Sequence, residues 1–410
     1  MITRRTAAGL FAGTALASVI GAPAQAADKV IDVGINLSLT GADAETASRI
    51  RDGALLAFDE ANEKGAIKGY KLNVVVLDDA TATAGQYDPA QAATNARKMV
   101  SNSNLVAAIG PQMSGSGKAM APILSQGGLA TITPSSTNPD ITDPKFAAQY
   151  RPAGKAIYFR TVTTDAYQGP NMANFFAEKL GAKQIYVLDD SGAYGVGMAD
   201  AFQKQAAAKG IKVLGRDRLD PMAADYSAIL TKIKSLNADS LYYGGVGAAG
   251  VKVIKQSYDI LPKLMKGGGD GLYGADILSG AGFPAAEGWY ATIAAPHMLD
   301  DSKLVSLEDR FRKKFNVSPE DYSITAYDGA TIIIDAIKMV VASGKPVTRD
   351  AVRDAIGSGT FNTLQGQIKY DGNGDIESKV VSVFQIKKDD KFPLDDTSKQ
   401  YHYIGVAPTA

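Results

Sequence analysis

Between Leu105 and Thr142 the chain twice runs from an apolar strand pattern into small hydroxyl residues. Val106-Ala-Ala-Ile109 leads to Ser114-Gly-Ser116, and Ala130-Thr-Ile132 leads to Ser135-Ser-Thr137. Both clusters stand where a helix is expected to begin. The first turn of a helix leaves backbone N–H groups unpaired and carries partial positive charge, so it holds a carboxylate or phosphate without needing lysine or arginine. Two such starts at neighbouring strand ends predict one small anionic ligand between them. The same hydroxyls also serve as plain helix caps, and only the folded chain separates the two readings.

Little else in the sequence offers chemistry. The 410 residues contain no cysteine and two histidines, His297 and His402. That removes thiol catalysis and cysteine metal sites and leaves too few imidazoles for the usual zinc sets or a catalytic triad. The 43 basic and 43 acidic residues cancel to a formal charge of +0, which argues against nucleic acid or an anionic membrane as the main partner. Gly245-Val-Gly-Ala-Ala-Gly250 fits the three-glycine dinucleotide pattern, but its acidic partner would be Asp270 inside Gly267–Gly271, a run that reads as a loop. An exported nicotinamide-dependent oxidoreductase using Gly245, Gly247 and Gly250 is the alternative from another class. Gly110-Pro-Gln-Met-Ser-Gly115 starts like a phosphate-binding loop, yet Ser116 stands where lysine is required. Asp371-Gly-Asn-Gly-Asp375 starts like a calcium loop, yet Ile376 and Ser382 occupy the positions needing glycine and glutamate, so it reads as an Asn-Gly hairpin turn. No cofactor and no metal are expected.

The amino terminus sets the compartment. Arg4-Arg5, the apolar stretch from Ala7 to Ile20 and Ala24-Gln25-Ala26 read as a secretory signal cleaved after Ala26, and Thr3-Arg4-Arg5 also permits twin-arginine export. The apolar stretch is too short and too rich in Ala and Gly for a membrane span, so a soluble, periplasmic mature protein is expected. Its 410 − 26 = 384 residues exceed what one core usually organises and predict two domains.

Strand and helix patterns alternate through both. Val30–Ile35, Leu72–Leu77, Leu105–Ile109 and Leu129–Thr133 read as buried strands, with Ile50, Ala54, Leu55, Phe58 and Ala61 marking the inward face of the first helix. The rhythm breaks over 138–158, which holds Pro139, Pro144, Pro152 and Gly154, and restarts at Ile185–Leu188, Ile211–Leu214 and Ser240–Tyr243 with helices between. Such alternation builds βαβ units around parallel sheets. The fold class is therefore α/β with two doubly wound parallel-sheet lobes.

These patterns carry a resemblance. Ile35-Asn-Leu-Ser-Leu-Thr-Gly41, Gly53-Ala-Leu-Leu-Ala-Phe-Asp-Glu-Ala-Asn62, Thr133-Pro-Ser-Ser-Thr-Asn-Pro-Asp140, Phe159-Arg160 with Asp165-Ala-Tyr-Gln-Gly-Pro170, Tyr194-Gly-Val-Gly197 and Tyr242-Tyr-Gly-Gly245 follow one another in order. In that order and spacing the mature chain resembles a type I periplasmic solute-binding protein of an ABC importer, in the branched-chain amino acid receptor family. The resemblance implies lobes over 27–162 plus 296–377 and 163–295 plus 378–410, joined by three hinge crossings near Val162, Ala295 and Glu377. It implies a non-enzymatic receptor, a monomer, that closes on a small carboxylate-bearing ligand and presents it to a membrane permease.

The same resemblance places the ligand-binding residues. The first-lobe position accepting the ligand carboxylate falls on Ser114, and the second cradle falls on Ser135, Ser136 and Thr137. The aromatic wall of the second lobe falls on Tyr194, which can equally be a buried structural tyrosine. The acid that pairs with an α-ammonium falls on Asp276 in Tyr273-Gly-Ala-Asp276, where an aspartate can also cap the next helix. Two positions depart from the family: Thr46 and Val246 stand where aromatic rings are expected, and the family disulfide is missing. Less aromatic cover leaves two ligand classes open, an amino acid of the branched-chain kind or an aromatic or other carboxylic acid. The segment 146–157 is longer than in the simplest members.

Overall fold

Strands with apolar residues on both faces need helices on both sides, and the chain supplies them twice. The computed structural model describes residues 28–299 and 301–410; the signal-peptide reading of residues 1–26 lies outside them. The first lobe runs β1 (Lys29–Leu37), α1 (Ala44–Glu63), β2 (Tyr70–Asp78), α2 (Pro89–Ser101), β3 (Leu105–Ile109), α3 (Ser114–Gln126), β4 (Ala130–Thr133), a one-turn α4 (Ala147–Tyr150) and β5 (Tyr158–Arg160). Its strands are all parallel, in the order β2-β1-β3-β4-β5.

The second lobe follows with α5 (Asp165–Glu178), β6 (Gln184–Asp189), α6 (Ala193–Ala208), β7 (Lys212–Arg218), α7 (Ser227–Ser235), β8 (Ser240–Gly244), α8 (Gly247–Ile260), β9 (Met265–Gly268), α9 (Ala275–Ala281) and β10 (Tyr290–Ile293). The chain then returns to the first lobe as α10 (Val305–Phe315), α11 (Asp321–Ala342), α12 (Arg349–Ser358) and a hairpin of β11 (Thr360–Thr363) and β12 (Gly366–Lys369). It ends in the second sheet with β13 (Ser382–Ile386), α13 (Thr397–Gln400) and β14 (Tyr401–Val406). The lobes are thus crossed three times.

Packing explains why the return helices belong to the first lobe. The buried face of α1 is Ile50, Ala54, Ala57, Phe58 and Ala61, and Leu55 is only half-buried. A Cβ on Gly53 would stand 2.1 Å from the Ser323 carbonyl oxygen, so only glycine lets α1 and α11 approach so closely. Leu56 turns instead toward Met298, Leu307, Phe311 and Ile324.

The folded chain departs from the sequence expectations in three places. The second sheet, ordered β14-β13-β10-β9-β8-β6-β7, is mixed: β10–β13 and β13–β14 pair antiparallel. Gly267–Gly268, read as loop, lie in β9, because a Cβ on Gly267 would press on Phe176 and Tyr290 at 3.1 Å and one on Gly268 on the Tyr243 carbonyl at 2.5 Å. Packing, not β-propensity, decides these residues. Ser135–Thr137 do not start an α-helix; they precede a single turn at Pro139–Ile141 that Asn138 caps through the Asp140 N–H at 3.1 Å.

The long segment 146–157 packs against the first lobe, with Tyr150 buried, the Ala153 N–H donating to Ser125 Oγ at 3.1 Å and Arg151 donating to Asn373 Oδ1 at 2.8 Å. The Asp371 loop closes on itself: Asp371 Oδ1 accepts from the N–H groups of Asn373, Gly374 and Asp375 at 2.8–3.0 Å.

Candidate functional site

The site lies between the lobes, at the C-terminal ends of both parallel sheets, where open α/β folds bind ligands. A half-open cleft is lined from the first lobe by Asp43, Thr46, Gln112, Met113, Ser114 and Ser135. From the second lobe come Tyr194, Val246, Asp270 and Asp276, and Tyr322 joins from the start of α11.

On the first-lobe side α3 begins at Ser114, and its cap residue Met113 offers no side-chain acceptor. Gly117 N–H returns to the Met113 carbonyl at 2.9 Å, so the N–H groups of Ser114, Gly115 and Ser116 are the helix's orphan donors. The glycines here are imposed by close neighbours: a Cβ on Gly115 would meet the Tyr87 ring at 2.6 Å and one on Gly117 the Tyr158 hydroxyl at 2.5 Å. Ser114 Oγ accepts the Asn138 N–H at 3.2 Å and ties the two hydroxyl clusters together.

Ser135 lines the cavity and donates to the Gln112 carbonyl at 3.2 Å. Ser136 and Thr137, expected beside it, are not part of the lining. Their loop is drawn back by Arg160, fully buried, which donates to the carbonyls of Ser136 and Asn138 and pairs with Asp375 at 2.7 Å. Ser136 Oγ takes the Tyr158 hydroxyl at 2.8 Å, and the buried Thr137 hydroxyl is turned toward Asp165. With no helix behind it, this second cluster is a shaped loop rather than a dipole cradle.

The second-lobe side centres on a residue that the sequence reading left in a loop. Asp270 stands just beyond the end of β9 and accepts the hydroxyls of Tyr194 on Oδ1 and Tyr322 on Oδ2, both at 2.6 Å, and Gln168 Nε2 at 3.0 Å. Gln168 also donates to Asp165 at 3.1 Å, while its oxygen accepts the Asp270 N–H and the Thr292 hydroxyl. Burial pushes the Asp270 carboxyl up, against the pull of these donors; burial and the Asp270 charge push Asp165 up as well. Arg160 draws Asp165 back down, but among the described residues no Lys, Arg or His lines the cavity beside Asp270. Tyr194 therefore both lines the cavity and donates to the acid. Sequence did hold a signal for Asp270, an acid following a strand pattern, but the glycine run concealed the strand.

Asp276 lines the cavity too, yet both of its oxygens are occupied. Oδ1 accepts the Glu45 N–H at 2.9 Å and Oδ2 the Thr46 N–H at 2.8 Å, so Asp276 caps α1 from the opposite lobe. The helix's own cap residue, Asp43, makes no side-chain cap bond; it reaches the other way, against Gly247 at the start of α8. Glu320 repeats the pattern, accepting the Ala275 N–H of α9 at 2.9 Å. Thr46 and Val246 line the cavity from the two lobes, where aromatic rings are expected. Gly250, offered to a dinucleotide, is pressed against Leu272 and Tyr243, and Asp270 is already held by its tyrosines.

The sequence profile of the periplasmic binding proteins matches residues 30–391. The chain belongs to that family. Relatives include a Leu/Ile/Val-binding protein of Rhizobium johnstonii, 30% identical over 374 residues covering 91% of this chain and 95% of the relative. A leucine-, isoleucine-, valine-, threonine- and alanine-binding protein of Pseudomonas aeruginosa is 30% identical over 381 residues, covering 93% and 95%. Among solved structures, the branched-chain amino acid transporter substrate-binding protein of Streptococcus pneumoniae in complex with isoleucine superimposes with a TM-score of 0.76 at 23% identity, over 92% of this chain and all of that one. A solute-binding protein from R. palustris in complex with benzoate gives 0.75 at 20% identity, over 93% and 97%. Periplasmic binding proteins are solute receptors of ABC importers, not enzymes, and their two-lobed α/β architecture is the one described above.

Proposed function

We propose that this periplasmic binding protein captures an α-amino acid by closing its two lobes and delivers it to the permease of an ABC importer. One observation carries the reading: a helix N-terminus at Ser114 and a buried carboxylate at Asp270 sit on opposite lobes of one cavity with no basic side chain among its described lining residues. An α-carboxylate belongs at the first, where unpaired N–H groups and the dipole favour negative charge. An α-ammonium belongs at the second, because a buried carboxylate without a cation is costly. The role given in sequence to Asp276 thus passes to Asp270. Ser114, Ser135 and Tyr194 keep theirs; Ser136 and Thr137 support the loop. The relatives' own ligands, branched-chain and small neutral amino acids, belong to the same chemical class. A bare aromatic acid would bring a second negative charge toward Asp270.

In this reading 27–162 plus 296–377 and 163–295 plus 378–410 move as two bodies. The chain is exported by the signal over residues 1–26, through the general or the twin-arginine route, and works as a monomer without catalysis or cofactor. A thermal-shift screen of the mature protein against the twenty amino acids and benzoate tests it, with solution scattering on the best ligand. An α-amino acid is expected to raise the melting temperature and shrink the radius of gyration. Stabilisation by benzoate alone would overturn the amino acid assignment.

A further inference from the structure

The cavity lining carries polar groups that an α-amino acid's backbone groups leave unused. They include Asp43, Thr46 and Gln112 of the first lobe, with Asp43 against Gly247 and the Thr46 N–H bonded to Asp276 of the second. Asp43 is 5% exposed and its Oδ2 has no hydrogen-bond partner; Gln112 is 8% exposed and its Oε1 has none either. Both are acceptors on the cavity wall. Asp276, the third polar group, is spent on the α1 N–H groups. Nearby charge only sharpens the deficit, since Asp276, Asp190 and Asp79 all act on Asp43 with the same sign.

We propose that these unpartnered acceptors form a side-chain subsite for a cationic nitrogen, so that the ligand is a basic α-amino acid, lysine or arginine, rather than an aliphatic one. The inference rests on the amino acid reading above and names the class within it. A leucine or isoleucine side chain placed here would seal Asp43 Oδ2 and Gln112 Oε1 away from water and offer neither a donor. An ammonium or guanidinium supplies several donors at once and the positive charge that three lining carboxylates lack. Thr46 and Val246, smaller than the rings the resemblance expects, line the cavity beside these acceptors. Burial and the neighbouring carboxylates raise Asp43 to about 7, so a cation arriving there near neutral pH displaces a proton.

Isothermal titration of the mature protein with L-lysine, L-arginine, L-glutamine, L-leucine and benzoate tests the subsite. Lysine or arginine is expected to bind at least tenfold more tightly than leucine or glutamine. The basic ligand should release a proton, read from the dependence of its binding heat on buffer ionisation. Asp43→Asn should reduce the ratio of basic to leucine affinity at least tenfold. Leucine or glutamine binding more tightly than both basic amino acids would overturn the subsite while leaving the amino acid receptor intact. Benzoate binding with no response to any amino acid would instead overturn the receptor reading itself. The wild-type ranking decides the matter even if Asp43→Asn does not fold.

Discussion

Asp276→Ala is the perturbation whose consequence is most sharply fixed by the geometry. The residue sits on the second lobe but caps the first helix of the first lobe, with acceptor distances of 2.9 and 2.8 Å to the N–H groups of Glu45 and Thr46. Loss of an N-cap costs about 1 kcal/mol, and the ionised cap's interaction with the helix dipole adds a few tenths to about 1 kcal/mol. Asp43 does not substitute, since it makes no cap bond to its own helix. Because the two N–H groups return to water when the cleft opens, the loss falls on the closed state. A change of about 1.4 kcal/mol lowers the closed-to-open ratio tenfold. Apparent affinity falls with the closed fraction, so the effect on binding approaches tenfold where opening dominates. The expected signature is a larger radius of gyration for the ligand-free protein and weaker binding of every ligand by a similar factor. Asp88→Ala is the control: Asp88 caps α2 through the Ala90 N–H at 2.8 Å, entirely within the first lobe. It should lower melting temperature without changing radius or affinity. Equal behaviour of the two variants would refute the cross-lobe cap. Selective loss of amino acids over benzoate in Asp276→Ala would return the ammonium role to Asp276.

Three further outcomes follow from the same contacts. Asp270→Asn should weaken amino acid binding at least tenfold, about 1.4 kcal/mol or more, and weaken benzoate much less, as read by calorimetry; equal losses would remove Asp270 from the ammonium position. Asp43, raised from 3.8 to about 7 by burial and by neighbouring carboxylates, binds its proton more tightly folded than unfolded. Its contribution to stability is therefore full below 3.8 and disappears as pH rises through about 7. Denaturation midpoints of the ligand-free protein between pH 5 and pH 8 should fall more steeply than those of Asp43→Asn, and parallel curves would contradict the shift. Gly117→Ala places a methyl 2.5 Å from the Tyr158 hydroxyl and 2.9 Å from Ile141 Cδ1; overpacking of this kind costs about 1–3 kcal/mol, and an unchanged melting temperature would mean the start of α3 is looser than described.

What the sequence discloses about this site depends on the range of the forces involved. The start of α3 is legible because strand, small residues and helix follow one another within ten or so positions, and local rules govern all of them. Ser135–Thr137 mislead for a related reason: a short hydroxyl cluster reads equally as a cap or a turn, and what settles it is Arg160, which reaches the loop from the next strand. Asp270 is hidden by Gly267 and Gly268, glycines demanded by Phe176, Tyr290 and Tyr243 from three other elements. Asp43 and Asp276 look like ordinary local caps, and their exchange of partners across the cleft is invisible without the second lobe.

That exchange bears on how such a receptor signals occupancy. A ligand shifts an open–closed equilibrium only by its differential affinity for the two forms, and a permease that recognises the closed shape needs the empty form to remain mostly open or distinguishable. Caps supplied across the cleft by Asp276 and Glu320 stabilise the closed form before any ligand arrives. Buried acids at Asp43, Asp165 and Asp270, all with raised carboxyls and with no cation among the described residues lining the cavity, work against it. A ligand that brings positive charge removes the opposing term and leaves the caps in place. A ligand that brings only negative charge adds to it. On the proposed reading, the sign of the cavity, more than its shape, decides which solutes close this protein.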